Sequence, residues 1–199
     1  SFLKRGITLK RFLVGDGNLT NEAYDHVDIK SNPYVYHNSI NYRTWYTPPP
    51  YNAFLSHQKI LKKSLDEGQD HVLIVEDDVF IENDFNEILE ATMGFFAIKD
   101  DWDAIYFGGY HREGSWSPTT NEHVMKLHGS GGWHGVLLRK KIMEELVNAI
   151  PIGPYDWQMG EFYHNRYNCY GIYPSIISQK SGFSYVENSN LDKPSRYIR

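Results

Sequence analysis

Three consecutive carboxylates, Glu76, Asp77 and Asp78, directly follow the apolar run Val72–Val75. An apolar run without alternation is typical of a strand that is covered on both faces, as in a parallel sheet. Acids that follow such a strand lie at its carboxyl end, where open α/β sheets bind ligands. Because crowded carboxylates repel one another, they need a cation or several hydrogen-bond donors. The block therefore predicts a site for Mg²⁺ or Mn²⁺ and a phosphate-bearing substrate, and a solvated acidic turn is the alternative.

The three acids cannot all face one ion. Side chains alternate along an extended chain, so Glu76 and Asp78 share one side and Asp77 points to the other. Asp78 is the first choice as a direct metal ligand, with Glu76 beside it. Metal, a water molecule and ribose hydroxyls remain alternative partners for Glu76 and Asp77, and we assign Asp77 to the nucleotide.

The elements that must position these acids alternate in type. Helical spacing of apolar residues predicts helices over 53–65, from 85 to a stop at Gly94, and over 140–149, with a short helix opening at Asp156. Residues 18–50, which end in three prolines, are predicted as a long non-helical loop. The order predicts an α/β single domain with a mixed, mostly parallel sheet flanked by helices. Strands are predicted at 7–14, 72–75, 102–107, 123–127, 133–138 and 170–177.

Composition limits the class of protein. The 199 residues suffice for one well-cored domain, and 15 tyrosines supply flat rings that suit carbohydrate as well as cores and interfaces. A net charge of −5 argues against nucleic acid or a polybasic membrane patch as partner. No apolar stretch is long enough for a membrane span, so we expect a soluble protein. One cysteine, Cys169, excludes an internal disulfide and favours a reducing compartment such as the cytoplasm, although the compartment stays open.

Several segments, taken in order, resemble glycosyltransferase family 25, which includes lipooligosaccharide and collagen galactosyltransferases. The resemblance covers most of the chain from residue 12 to 184. It implies a GT-A fold, in which a Rossmann-like sheet binds a nucleotide sugar and a divalent metal through a DxD-type motif, here Glu76-Asp77-Asp78. It also implies a nucleotide-binding half at about 1–110 and an acceptor-binding half at about 111–199. The matching segments are Leu55-Ser56-His57, Val75-Glu76-Asp77-Asp78 with Phe85, Asp101-Trp102-Asp103, the glycine-rich block before Trp133, Pro154-Tyr155-Asp156-Trp157, and residues 178–184.

The resemblance assigns two of these segments to the donor. The glycines before Trp133 let backbone amides approach a sugar or phosphate closely, and a tight strand connection is the alternative. A histidine on an apolar helix face, such as His57, is also compatible with a plain core residue. The residues assigned to the donor are Ser56, His57, Gly131, Gly132, Trp133 and His134.

Asp156 is the predicted catalytic base. An inverting transfer, which the resemblance implies, needs a carboxylate that takes the proton of the acceptor hydroxyl on the side opposite the leaving group. Trp157 beside it is predicted to stack on a sugar. N-capping of the following helix is the competing role for Asp156, and Glu161 is the reserve base.

Other assignments stay open. Family members usually begin with a strand carrying an Asn-Leu motif, and nothing before Ile7 matches it. Either the chain starts late, or the strand at 7–14 and Asp16 take over part of the nucleotide pocket. His134 and His164 are alternative metal ligands or structural residues. Aromatic side chains predicted in loops, for an acceptor platform or a protein interface, are Trp45, Tyr110 and Trp116.

These features predict a metal-dependent glycosyltransferase that moves galactose or glucose from a UDP-sugar to a glycan or glycoprotein acceptor. Acids at a strand end also serve metal-dependent nucleotidyltransferases and phosphoesterases, which remain the enzymatic alternative. A carbohydrate-binding module that has lost turnover is the alternative outside enzymes.

Overall fold

The computed structural model describes residues 48–111, 113–151, 153–184 and 189–191. The strand predicted at 7–14, together with Asp16 and Trp45, lies outside the described residues. The helices are α1 (Pro48–Asp66), α2 (Phe85–Ile98), α3 (Lys140–Leu146) and α4 (Tyr155–Gln158), and α4 continues into a π-helical turn at Met159–Tyr163. The strands are β1 (His71–Val75), β2 (Val79–Ile81), β3 (Ala104–Tyr110), β4 (Trp116–Pro118), β5 (Val124–Leu127), β6 (Gly131–Arg139), β7 (Cys169–Ile172), β8 (Ile177–Gln179), β9 (Gly182–Ser184) and β10 (Ser189–Leu191).

Six strands form one sheet in the order β1-β6-β3-β7-β5-β4. Among its described strands, β3 and β7 form the one parallel pair, and the other neighbours are antiparallel. The α/β class is confirmed, but the prediction of a mostly parallel sheet is wrong. The apolar run of β1 records burial on both faces, and it carries no information about the direction of the neighbouring strand. Here β6 returns between β1 and β3, so these two strands run the same way without pairing.

Helices cover both faces of the sheet. Along β3, Ala104 and Tyr106 face a core that contains Phe54 and Leu61 of α1, together with side chains of α3 and α4. Ile105 and Phe107 face the opposite core, to which α2 contributes Phe85 and Ile88. Alternation along an extended strand accounts for the two sets. A fully buried side chain such as Leu61 stabilises the fold by roughly 1.5–3 kcal/mol.

The helix ends differ from the sequence prediction. Pro48, Pro49 and Pro50 form the first turn of α1, so the prediction that they are non-helical is wrong. Amides of a first turn have no intrahelical acceptor, and the fixed φ of proline suits a helix, so prolines are tolerated there. Gly94 does not end α2, which continues to Ile98. No helix in the described ranges is long and apolar enough to cross a membrane.

The strand predicted over 170–177 is two strands. β7 belongs to the main sheet, whereas β8 pairs with β2 in a separate two-stranded ladder. The intervening turn contains a cis peptide bond between Tyr173 and Pro174. After this break the Ile176 amide donates to the Phe107 carbonyl, and β8 lies against β3 and β6.

Several predicted site residues lie at the end of the sheet where β1 and β3 finish and β6 begins. Val75, the last residue of β1, pairs with Gly135, and Tyr110, the last residue of β3, pairs with Gly131. The start of β6 therefore lies beside the ends of both strands. Asp103 lies at the other end of β3, where its carboxylate accepts a hydrogen bond from the Asn168 amide at 2.9 Å. The Asp101-Trp102-Asp103 segment is thus structural in this fold.

Candidate active site

The acids after β1 converge on one amide group. Gln179 Nε2 donates to Glu76 Oε2 at 3.2 Å and to Asp78 Oδ2 at 3.0 Å. The register of β2 with β8 pairs Val79 with Gln179, and the Lys180 amide donates to the Asp78 carbonyl at 2.8 Å. Backbone pairing therefore holds Gln179 opposite the acids. Asp77 is exposed and belongs to no such contact among the described residues.

Two rings also lie near Glu76. His134 is buried, and its Nδ1 lies 3.4 Å from Glu76 Oε2. The Tyr110 ring meets the His134 ring edge to face at 4.7 Å, and the Tyr110 hydroxyl donates to Gln179 Oε1 at 2.7 Å. Hydrogen-bond donors therefore partly compensate the acid pair, which is one of the two remedies for crowded carboxylates.

The acid pair fits a small divalent cation. In the described ranges, no group of three or more His, Cys, Asp and Glu side chains is placed to hold a metal ion. However, Mg²⁺ is often held by one or two carboxylates and completes its shell with water and substrate phosphates. Because Glu76 and Asp78 present oxygens to the same donor atom, the chemistry of this pair suits such an ion. Their role as ligands stays a prediction.

Asp156 lies in the first turn of α4, and its side chain contacts the start of β6 instead of capping the helix. Its Oδ2 accepts a hydrogen bond from the Gly132 amide at 2.8 Å. The N-cap of α4 is Pro154, so the alternative in which Asp156 caps this helix is wrong. The contact spans 24 residues and fixes one carboxylate oxygen against the sheet. Its role as a base stays a prediction.

Gly132 has a backbone conformation that requires glycine. Its φ is +80°, and a Cβ there would lie 2.9 Å from the Tyr110 ring and 3.1 Å from the His134 ring. The predicted close approach at this block is therefore real, but its observed partners are protein rings and Asp156. The two glycines begin β6, so they do not form the strand connection itself. Contact with a donor sugar stays a prediction.

His57 lies between the two acidic groups. Its ring stacks on Tyr155, with centroids 5.3 Å apart, and meets the buried Trp133 edge to face at 4.9 Å. Nδ1 faces the Ala53 carbonyl at 2.8 Å, so Nδ1 carries the proton and Nε2 is left as an acceptor in the neutral ring. Burial lowers the pKa of His57, and it outweighs the opposing effects of Glu76, the Ala53 carbonyl and Asp156. His57 is thus partly buried against two core rings, and its role, as a core residue or in contact with the nucleotide, stays a prediction.

A buried polar network lies behind Asp156. The Ser130 amide donates to His164 Nδ1 at 3.1 Å, so His164 Nε2 carries the proton and donates to the Tyr106 hydroxyl at 2.9 Å. Ser130 Oγ lies 2.8 Å from His111 Nδ1. Burial lowers the pKa of His164 to about 3 and that of His111 to about 4. Both rings are therefore neutral at pH 7, and the structural role predicted as the alternative for His164 is the observed one.

The remaining predicted residues lie on several elements. Ser56 is partly buried on α1, and Glu161 is exposed on the π-helical turn. The partly exposed Trp157 packs over Gly153 and meets Phe162 edge to face at 5.7 Å. Trp116 lies in β4, at the opposite edge of the sheet from β1.

Sequence reasoning missed Gln179 as a site residue, although the run from 178 to 184 belongs to the family resemblance. It also missed Tyr155, which stacks under His57, and Ser130. Neither polarity nor spacing marks these residues. The family pattern around Gln179 is the one signal that pointed to the right segment.

Comparison with known families identifies the family of this chain. A model of the family described as Glycosyltransferase family 25 (LPS biosynthesis protein) matches residues 18–128. No curated protein matches the chain. The matched residues cover more than half of the 199-residue chain and include His57, Glu76, Asp78 and Tyr110. This chain therefore belongs to glycosyltransferase family 25.

Proposed function

We propose that this glycosyltransferase moves a hexose, galactose or glucose, from a UDP-sugar to a glycan or glycoprotein acceptor, and that it requires Mn²⁺ or Mg²⁺. One observation carries the proposal. Glu76 and Asp78 present oxygens to the same atom, Gln179 Nε2, at the end of the sheet where the Gly132 amide donates to Asp156. This end of the sheet therefore offers a carboxylate pair for a cation and a separate, oriented carboxylate for acid–base chemistry. Family membership supports the reaction class.

Glu76 and Asp78 are the residues that would hold the cation. A divalent ion bound there would neutralise charge that develops on the UDP diphosphate as the glycosidic bond breaks. His134 and Gln179 orient Glu76, and Gln179 also orients Asp78. The Gly132 amide is occupied by Asp156, so it is not available to the donor phosphates in this arrangement.

Asp156 would take the acceptor proton. The Gly132 amide fixes Oδ2, and Oδ1 then accepts the proton of the attacking hydroxyl. The acceptor oxygen forms a bond to the anomeric carbon while the bond from that carbon to the diphosphate oxygen breaks. UDP leaves with the electron pair, and the configuration at the anomeric carbon inverts. The partly exposed Trp157 is the adjacent ring for stacking on a sugar.

Calorimetric titration of UDP tests the cation site. With Mn²⁺ present, we expect the wild-type protein to bind UDP, and Glu76→Gln and Asp78→Asn to lose this metal-dependent binding. Glu90→Gln, which removes an exposed carboxylate on α2, is the matched control and should bind as the wild type does. Unchanged UDP affinity in both site variants would remove the acids from the metal site.

Binding titrations and hydrolysis assays together separate the other function classes. Sugar binding that is indifferent to nucleotide and metal would favour a carbohydrate-binding module. Hydrolysis of simple phosphodiesters would favour a phosphoesterase. Slow metal-dependent hydrolysis of one UDP-sugar in the absence of acceptor would support the proposal and identify the donor.

Asp156→Asn tests the base. The Asn side-chain oxygen can still accept from the Gly132 amide, so we expect near-normal UDP binding. Transfer should slow by roughly 10²–10⁴-fold because the amide cannot take a proton. Full transfer activity would show that Asp156 only positions the start of β6.

A further inference from the structure

We propose that the Gln179 amide reverses its orientation when a cation binds between Glu76 and Asp78, with Tyr110 as its partner in both states. The inference rests on the proposed cation site. It makes Gln179 a residue of that site and assigns the Tyr110 hydroxyl a positioning role.

The cation-free orientation of the amide follows from its partners. A carboxylate only accepts hydrogen bonds, so the atom that faces both Glu76 and Asp78 must be the donor Nε2. Oε1 then points the other way and accepts from the Tyr110 hydroxyl at 2.7 Å. All three contacts agree on one orientation.

A cation between the acids reverses the electrostatics at Nε2. The amide hydrogens carry positive partial charge, so they repel an ion at this point, whereas Oε1 attracts it. Rotation of the amide about its last side-chain bond exchanges the two atoms, and this torsion has broad, roughly two-fold preferences. The reversed amide presents Oε1 to a hard cation, for which amide oxygens are suitable ligands.

Tyr110 makes the rotation inexpensive. A hydroxyl both donates and accepts, so the Tyr110 oxygen can accept from Nε2 after the rotation, where it donated to Oε1 before. The backbone need not move, because the Val79–Gln179 pairing and the bond from the Lys180 amide to the Asp78 carbonyl hold β8 in place. The edge contact of Tyr110 with His134 holds the ring at the same time.

Substitutions of Gln179 separate this inference from a fixed donor role. If Gln179 becomes a cation ligand, a carboxylate of the same shape should bind Mn²⁺ alone at least roughly tenfold more tightly, as one added charged contact predicts. In EDTA, the same variant should unfold at a lower temperature than the wild type, because a third carboxylate then replaces the amide donor between Glu76 and Asp78. Gln179→Glu attracts the ion in either case, so Gln179→Met, which keeps the length but removes both the donor and the oxygen, decides: Mn²⁺ binding should weaken if Oε1 is a ligand, and should stay the same or tighten if Gln179 is only a donor.

The side-chain amide can also be observed directly. On adding Mg²⁺ to ¹⁵N-labelled wild-type protein, we expect the Gln179 side-chain NH₂ signals to shift. In Tyr110→Phe, which keeps the ring but removes the hydroxyl, these signals should already differ from the wild type without Mg²⁺, because Oε1 has lost this donor. Unshifted NH₂ signals at saturating Mg²⁺, or Mn²⁺ binding by Gln179→Met that is as tight as in the wild type or tighter, would overturn the inference.

The two proposals fail separately. A wild-type protein that binds neither Mn²⁺ nor UDP refutes the proposed function, and the Gln179 inference falls with it. A wild-type protein that binds both, combined with undiminished Mn²⁺ binding by Gln179→Met, refutes only the amide rotation.

Discussion

At the scale of single residues, Gly132 is where the site depends most on one backbone conformation. Its φ is positive, and a Cβ added there would lie too close to the Tyr110 and His134 rings. Its amide also holds Asp156. A side chain at this position would disturb both halves of the proposed site, the cation side through Tyr110 and the catalytic side through Asp156.

Gly132→Ala should therefore destabilise the protein more than Gly114→Ala does. Gly114 has nearly the same φ of +81°, but a Cβ added there would meet nothing within 4 Å, so its substitution reports backbone strain alone. We expect about 1–2 kcal/mol for Gly114→Ala and a larger loss for Gly132→Ala. Urea unfolding of both variants measures the difference. Equal losses would show that the rings move aside without cost.

At the scale of elements, the segment that contains α4 and the π-helical turn is fastened to the start of β6 at two points. Asp156 accepts from the Gly132 amide, and His164 accepts from the Ser130 amide. Gly160 fits between them, since a Cβ there would lie 2.7 Å from the Ser130 carbonyl oxygen. The π-helical turn between Asp156 and His164 sets the spacing of these two contacts. Such turns occur frequently at functional sites.

The neutral histidines of this network predict that stability falls in acid. Burial lowers the folded-state pKa of His164 to about 3 and that of His111 to about 4, whereas an unfolded histidine titrates near about 6.5. Between those values the unfolded chain binds more protons than the folded chain. The contribution of the two neutral histidines to the free energy of unfolding is therefore fully present above about pH 6.5 and is lost as the pH falls toward 4. Urea midpoints measured from pH 7.5 to 4.5 check this.

His164→Asn isolates one proton of that dependence. The Asn oxygen can still accept from the Ser130 amide but cannot titrate in this range. We expect lower stability at pH 7.5, because the Tyr106 contact is lost, together with a shallower fall in acid than in the wild type. A fall as steep as that of the wild type would mean that His164 does not contribute.

At the scale of the whole molecule, one sheet joins the two predicted halves of the chain. β6, from the second half, lies between β1 and β3 from the first. The division into a nucleotide-binding and an acceptor-binding half stays a prediction, but the described core does not separate along it. We therefore expect the halves to unfold together.

Cys169 provides the test of that cooperativity. It is buried in β7, between β3 and β5, and burial raises the pKa of its thiol to about 12. Because the thiolate is the reactive form, we expect no alkylation by iodoacetamide in the native protein and complete alkylation through the urea transition. Mass spectrometry measures the labelled fraction, and Glu90→Cys, at an exposed position, is the reactive control. Labelling of Cys169 before the global transition would show that β7 opens separately.

Local signals in the sequence were enough to predict the parts that depend on neighbouring residues. The apolar run ending in Glu76 and Asp78, the helical periodicity from 53 to 65, and the segment around Asp156 all have local signals. The family resemblance was confirmed by the matched residues 18–128, and the mixed α/β class by the described elements.

Which of these residues meet depends on how distant segments of the chain pack together. Gln179 lies 101 residues from Asp78, and Gly132 lies 24 residues from Asp156, yet each pair shares a hydrogen bond. Such contacts depend on how β6 pairs with β1 and β3 and how β8 pairs with β2, in both direction and register. Hydrophobic patterning records only which face of a strand is buried, so it left both open. Because β6 runs antiparallel to β1 and β3, the Gly132 amide lies at the end of the sheet where the acids follow β1. The candidate site depends on this pairing.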